Sequence, residues 1–190
     1  MSTFKFSLDG VKGALDAAQR GIVLGVAARI TMRTPVGNPE LWKINATHHN
    51  IKNQIAALRG APENVDAKGK LTSVGRKAIR VLKAELNASP LKKPEGYVGG
   101  HLRANWQHSI NTPILTEVEG VDPSGNATVS KLSQSIYSAG AAPMHYLTNN
   151  APYAQRIEEG HSGQAPEGMV RITLLEIPAI ARQAIEAAQV

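Results

Sequence analysis

One apolar stripe constrains this chain more than any other feature: Leu8, Val11, Leu15, Ala18, Ile22, Val26 and Ile30 recur at steps of three and four residues. That spacing puts every member on one side of an α-helix, so residues 8–33 are predicted to form a long amphipathic helix. Ser7 or Asp9 is placed to cap its start. Thr34-Pro35 ends it, because a residue before proline is pushed out of the helical region. Gly13, Gly21 and Gly25 each weaken the helix by about 1 kcal/mol relative to alanine, so close approach by a neighbour is expected there.

The rest of the chain must cover that stripe with few aromatics. Apolar residues make up 42% of the 190 residues and aromatics only 4%, so the core is built mainly from Ala, Val, Ile and Leu. The length suits a single domain, 1–190. The absence of cysteine excludes disulfides and thiolate metal sites and fits a reducing compartment. The opening MSTFKFSLDG lacks the apolar stretch of a signal peptide, and no run approaches the ~20 apolar residues of a membrane span. A soluble, intracellular protein without membrane contact is expected.

Charge is unevenly distributed. Of the formal +6, residues 44–93 carry ten basic against three acidic side chains, and the remainder carries eleven against twelve. This basic segment reads as an inserted helical hairpin. Ile51, Ile55 and Leu58 share one face of a first helix ending at Gly60. Val74, Ala78, Val81, Leu82 and Glu85 follow Ser73 in a second, which Pro90 closes, and Ala61–Thr72 reads as the loop between them. Lys52, Arg59, Arg76, Lys77, Arg80 and Lys83 are its candidate contacts to DNA or an acidic partner. The hairpin carries no base-reading motif and no aromatic residue for stacking, and a plain solvated face is the competing reading.

Short strands are predicted next. Residues 113–119 alternate, Asp122-Pro-Ser-Gly125 forms a turn, residues 126–130 return, 132–137 read equally as strand or helix, and 144–148 form a further strand. Asn150 is expected to cap a short helix with Pro152 in its first turn and Gly160 at its end. A final helix over 167–188, kinked at Pro178, competes with a strand over 169–177 followed by a helix from Pro178.

Catalytic and metal patterns fail on spacing. The six histidines include no His-Glu-x-x-His pair, and adjacent His48 and His49 point apart on a helix. Gly160-His-Ser162-Gly-Gln164 breaks a Gly-x-Ser-x-Gly elbow at its last position and follows a helix rather than a strand. Gly96-Tyr-Val-Gly99-Gly100 has neither Walker nor dinucleotide spacing and reads as a flexible return from the insertion. No enzyme activity, cofactor or metal is expected. Trp42 and Trp106 bracket the insertion and are read as core anchors. Tyr153 and Arg156, beside Glu158 and Glu159, form a mixed patch suited equally to an internal lock or a subunit contact.

Two stretches together are similar to a known family. Arg33-Thr-Pro-Val-Gly through Trp42, joined to Gly96-Tyr-Val-Gly-Gly-His-Leu-Arg103-Ala-Asn-Trp106 by deleting the hairpin, resembles a stretch of the tail-completion, or neck (head–tail joining), proteins of tailed bacteriophages. Asn149-Asn-Ala-Pro-Tyr153 through Gln164-Ala-Pro-Glu-Gly-Met-Val-Arg171 resembles that family's second signature. The resemblance covers most of residues 8–42 and 96–188 and leaves the insertion 44–93 unexplained.

It implies an α+β fold, with N- and C-terminal helices on a small antiparallel sheet. It also implies a structural virion subunit forming a homo-oligomeric ring in the viral neck. The implied partners are the portal-side connector and tail-tube or tail-terminator proteins, around a DNA passage, with assembly in the host cytoplasm. Nonspecific contact with packaged DNA is the further partner reading. Trp42, Arg103, Trp106, Tyr153, Arg156, Glu158, Gln164 and Arg171 are the proposed structural or subunit-contact residues. The alternative function is a basic nucleic-acid-binding module acting through residues 44–93.

Overall fold

A computed structural model describes residues 9–188. In chain order its elements are α1 (Asp9–Arg33), α2 (Ala46–Gly60), α3 (Ser73–Ala88), α4 (His101–Ala104), β1 (Trp106–Ile110), α5 (Asn126–Ala139), β2 (His145–Asn149), α6 (Ala154–Glu158), α7 (Val170–Leu175) and α8 (Ile177–Ala188). This is an α+β architecture whose described sheet is the antiparallel pair β1–β2, in the register Trp106↔Asn149 to Ile110↔His145. The chain divides into two compact units, one ending at Val36 and resuming at Val98, the other Gly37–Tyr97.

In the first unit α8 packs along α1, and α5 lies against both α1 and β1. The core joins Ala27 and Ile30 of α1 to Leu102, Trp106, Leu132, Ile136, Ala151, Ala165 and Met169. Two glycines of α1 explain the fit of α8. A Cβ on Gly25 would stand 2.5 Å from Ile180 Cγ2, and one on Gly21 would stand 2.9 Å from Ala184 Cβ. Gly13 has open space around it. Of the predicted stripe, Ala18 and Ile30 are buried and Ile22 and Val26 half-buried, whereas Val11 and Leu15 are 56% and 65% exposed. The predicted cap Ser7 and stripe member Leu8 lie outside the described residues.

Several expected elements differ. Residues 126–130 begin a helix, not a returning strand, and 132–137 continue it. Thr128, Leu132 and Ile136 are its buried face, at a helical four-residue period. Residues 113–119 form no strand, because side-chain amides take their backbone groups. Gln107 Nε2 donates to Thr116 O at 2.7 Å, Asn150 Nδ2 to Ile114 O at 3.0 Å, and Asn105 exchanges bonds with Val118 N and O at 2.8 and 2.9 Å. Asn150 is thereby occupied and does not cap α6, whose N-cap position is Tyr153. The predicted last helix is two helices meeting at Glu176, and the competing strand over 169–177 is absent.

The second unit is a helical hairpin around Ile51, Ile55 and Ile79, with Leu58, Leu71, Leu82 and Leu86 against them. The buried face of α3 therefore runs through Gly75, Ile79, Leu82 and Leu86, while Val74 and Val81 are 71% and 54% exposed. Two buried asparagines close the ends. Asn45 donates to Pro39 O (2.7 Å) and Lys92 O (2.8 Å) and accepts from Lys92 N (2.8 Å). Asn64 donates to Leu58 O at 3.1 Å, and its own carbonyl accepts from Thr72 N. Trp42 meets Tyr97 edge-to-face at 5.0 Å, half-buried rather than enclosed.

Candidate functional site

The two stretches that carry the family resemblance meet at the C-terminal end of α1. Thr34 stops the helix twice over, its N–H and hydroxyl both donating to Ile30 O. The same hydroxyl accepts the indole N–H of Trp106 at 2.7 Å, and Trp106 is 3% exposed. Arg103 then gathers carbonyls: Nη2 donates to Met32 O (3.1 Å) and Thr34 O (2.7 Å), and Nη1 to Pro123 O (2.6 Å). A guanidinium suits this place, since the last carbonyls of a helix lack partners and carry partial negative charge. Burial lowers the Arg103 pKa from its ordinary value. Within the second stretch, Gln164 Nε2 reaches Val36 O at 3.2 Å and Asn149 Nδ2 reaches Leu102 O at 2.7 Å, tying the stretches together.

Two carboxylates do the converse job at helix starts. Asp122, 7% exposed, accepts from the Gly125 and Thr128 amides and from the Ser124 and Thr128 hydroxyls, all within 2.7–2.8 Å. Burial raises its pKa, but the bonds from Thr128, Ser124 and Gly125 outweigh that and hold it at about 2. Glu158 accepts from the amides of Met169 (2.7 Å), Val170 (2.8 Å) and Arg171 (2.9 Å) at the start of α7. Burial opposes its ionisation too, and those three amides with the Arg171 charge prevail and lower its pKa. Gly168, at φ 82°, is required here because a Cβ would stand 2.5 Å from Glu158 Oε1.

Beside this hub lies a mostly apolar cleft of about 430 Å³, walled by Val26, Ile30, Trp106, Leu147, Met169 and Leu174, with Glu158 and Gln155 at its polar edge. Arg156 is exposed, and its side chain makes no hydrogen bond or ion pair among the described residues. Tyr153, 41% exposed, lies 6.3 Å from the ring of His101. Arg171 is exposed and donates to Glu158 O at 3.3 Å. Ser162, in the broken elbow, accepts the Gln164 amide at 3.2 Å, and His161 Nδ1 faces Arg156 O.

No residue spacing points to one further cluster. His108 Nε2 and His145 Nδ1 are 2.9 Å apart, and His108 Nδ1 is 2.8 Å from Ser135 Oγ. Strand pairing and α5 create this contact, and a separation of 37 positions in the sequence conceals it. Burial lowers both pKa values, and for His108 the neighbouring His145 adds to the effect. No group of three or more metal-ligating side chains occurs among the described residues.

The hairpin's six candidate cations are all exposed. Lys52 pairs with Glu40, and Arg76 Nη1 donates to Leu71 O. Arg59, Lys77, Arg80 and Lys83 have no partner among the described residues. Between Gly37 and Tyr97 there are eleven basic and five acidic residues, and outside it ten of each, so the whole formal +6 belongs to this unit. No described helix is long and apolar enough to cross a membrane. The chain matches no protein-family model, no curated protein and no solved structure.

Proposed function

We propose that this chain is a structural virion protein, a ring-forming neck or tail-completion subunit that joins the portal connector to the tail and performs no catalysis. The observation that supports it is the convergence of the two family-like stretches. Thr34, Arg103 and Trp106 of the first, and Asn149 and Gln164 of the second, interlock although the hairpin separates Thr34 from the rest in sequence. A motif whose polar groups are consumed by helix ends serves a scaffold rather than a reaction. Ser162 fits that reading, since its hydroxyl holds a turn.

A closed ring needs head-to-tail contacts between unlike faces. The mostly apolar cleft and the unpartnered Arg156 of α6 are surfaces such a contact would use. Size exclusion with light scattering should give a cyclic oligomer, alone or with connector and tail proteins. A strict monomer that joins neither overturns the reading. Arg156→Ala should impair assembly while leaving the melting temperature within about 2 °C, as an exposed substitution of under ~0.5 kcal/mol implies.

A further inference from the structure

We infer that the hairpin binds the phosphate backbone of duplex DNA, without sequence preference, through one broad face formed by Lys52, Arg59, Arg76, Arg80 and Lys83. The inference does not rest on the ring reading. The two helices are antiparallel: His48, in the first turn of α2, meets Ser89 O just past α3, while Asn64 joins the end of α2 to Thr72 at the start of α3. At about 100° per residue, Lys52 and Arg59 lie roughly 70–95° round α2 from the side that carries Ile51, Ile55 and Leu58. Lys83, Arg76 and Arg80 lie roughly 70–130° round α3 from its buried side, in the same rotational sense. Reversing the chain direction brings those two flanks onto one face of the hairpin.

The opposite face receives Glu85, Val74 and Val81, so exposed apolar side chains are segregated from the cations, and Glu40, paired with Lys52, is an acid that meets the cationic face. Arg76 and Arg80 stand four apart on one helix, an arrangement that disfavours the helix unless an anion relieves it. A folded acidic protein would need apolar or aromatic anchors at the contact centre, and a bilayer would need apolar side chains to insert. This face offers Ala56 and Asn87 instead. Neither helix carries an aromatic residue, which removes the stacking platform used for single strands. What remains is a rigid array of charges suited to a regular line of phosphates.

The test is fluorescence anisotropy of the full-length protein with a labelled random-sequence duplex, over a salt series. Log affinity should fall with log salt at a slope of about −3 to −4, as four or so neutralised phosphates require. Arg59→Gln/Arg80→Gln/Lys83→Gln should weaken binding at least tenfold and reduce the slope magnitude by about 2 to 3. The charge-matched Lys68→Gln/Lys70→Gln/Lys77→Gln variant should stay within about threefold of the unaltered protein, with circular dichroism confirming that both variants fold. Equal losses in the two variants, no salt-dependent binding, or binding to anionic vesicles with none to duplex each overturn the proposal.

Discussion

Between Gly37 and Tyr97 the chain leaves its cations at the surface, whereas the remainder turns Arg29, Arg33 and Arg103 onto its own acceptors. Arg29 and Arg33 both clamp Glu176 at the α7–α8 junction, and Arg103 gathers the last carbonyls of α1. The body with balanced charge thus uses ionic groups as fasteners for helix ends. Three isoleucines form the buried core of the hairpin, two asparagines close its ends, and Arg59, Lys77, Arg80 and Lys83 are left for something else. A chain poor in aromatics can afford short helices such as α6 and α7 only where such polar caps compensate for thin packing.

The most severe way to separate the two bodies is to empty the first one's centre. Trp106→Ala should cost about 3–5 kcal/mol, leaving a cavity and the Thr34 hydroxyl without its donor. Hydrogen exchange should show lost protection in β1 and α5 with α2 and α3 unchanged. Collapse of protection in the hairpin as well would mean that the two cores are one cooperative unit. The reciprocal change, Ile79→Ala, should cost about 2–4 kcal/mol within the hairpin and spare α1 and α8.

Smaller effects test the polar fasteners. Asp122→Asn should lower stability at neutral pH by about 1–2 kcal/mol in urea denaturation, through loss of the charged cap of α5. With its folded pKa at about 2 against an ordinary 3.8, Asp122 contributes stability that is present above pH 3.8 and lost as pH falls through 2. The variant should show a flatter acid limb. At milder pH the histidine pair takes over. His108 and His145 have folded pKa values below 6.5, so the unfolded chain binds protons first and stability declines as pH drops below that value. His101 opposes this, because its bond to Glu117 raises its pKa and favours the folded state at low pH. The urea midpoint should therefore fall between pH 7 and 5 in the parent and fall less in His145→Gln. An equal fall in both would remove the pair from the account.

Where a periodicity was long or a breaker was strong, the sequence could be read directly. The span of α1, the α2 face through Ile51 and Ile55, the end at Gly60 and the final strand all rest on such signals. Misreadings share one cause, which is side chains acting on distant backbone. Asp122 turns a Pro-Ser-Gly turn into a helix start, and Asn105, Gln107 and Asn150 absorb a segment that alternates like a strand. Of the candidate site, the cations were visible as residue types, but their sorting onto one face was not. That required knowing that Gly75, rather than Val74, faces the core. The histidine contact depended on strand register, which no local pattern encodes.

The smallest prediction lies inside α1, which resembles both bodies along its length. Its second half is core, with Gly21 and Gly25 pressed against Ala184 and Ile180. Its first half is surface, with Val11 and Leu15 exposed and Gly13 free of neighbours. Gly13→Ala should therefore stabilise the protein by about 0.5–1 kcal/mol through helix propensity, while Gly25→Ala, which drives a methyl into Ile180, destabilises it. Thermal melts of both variants at low and high protein concentration would check this. A gain for Gly13→Ala at every concentration marks the first turns of α1 as solvent-facing. A loss that grows with concentration would instead mean that a second copy covers Val11 and Leu15, and that part of the apolar stripe serves assembly rather than folding.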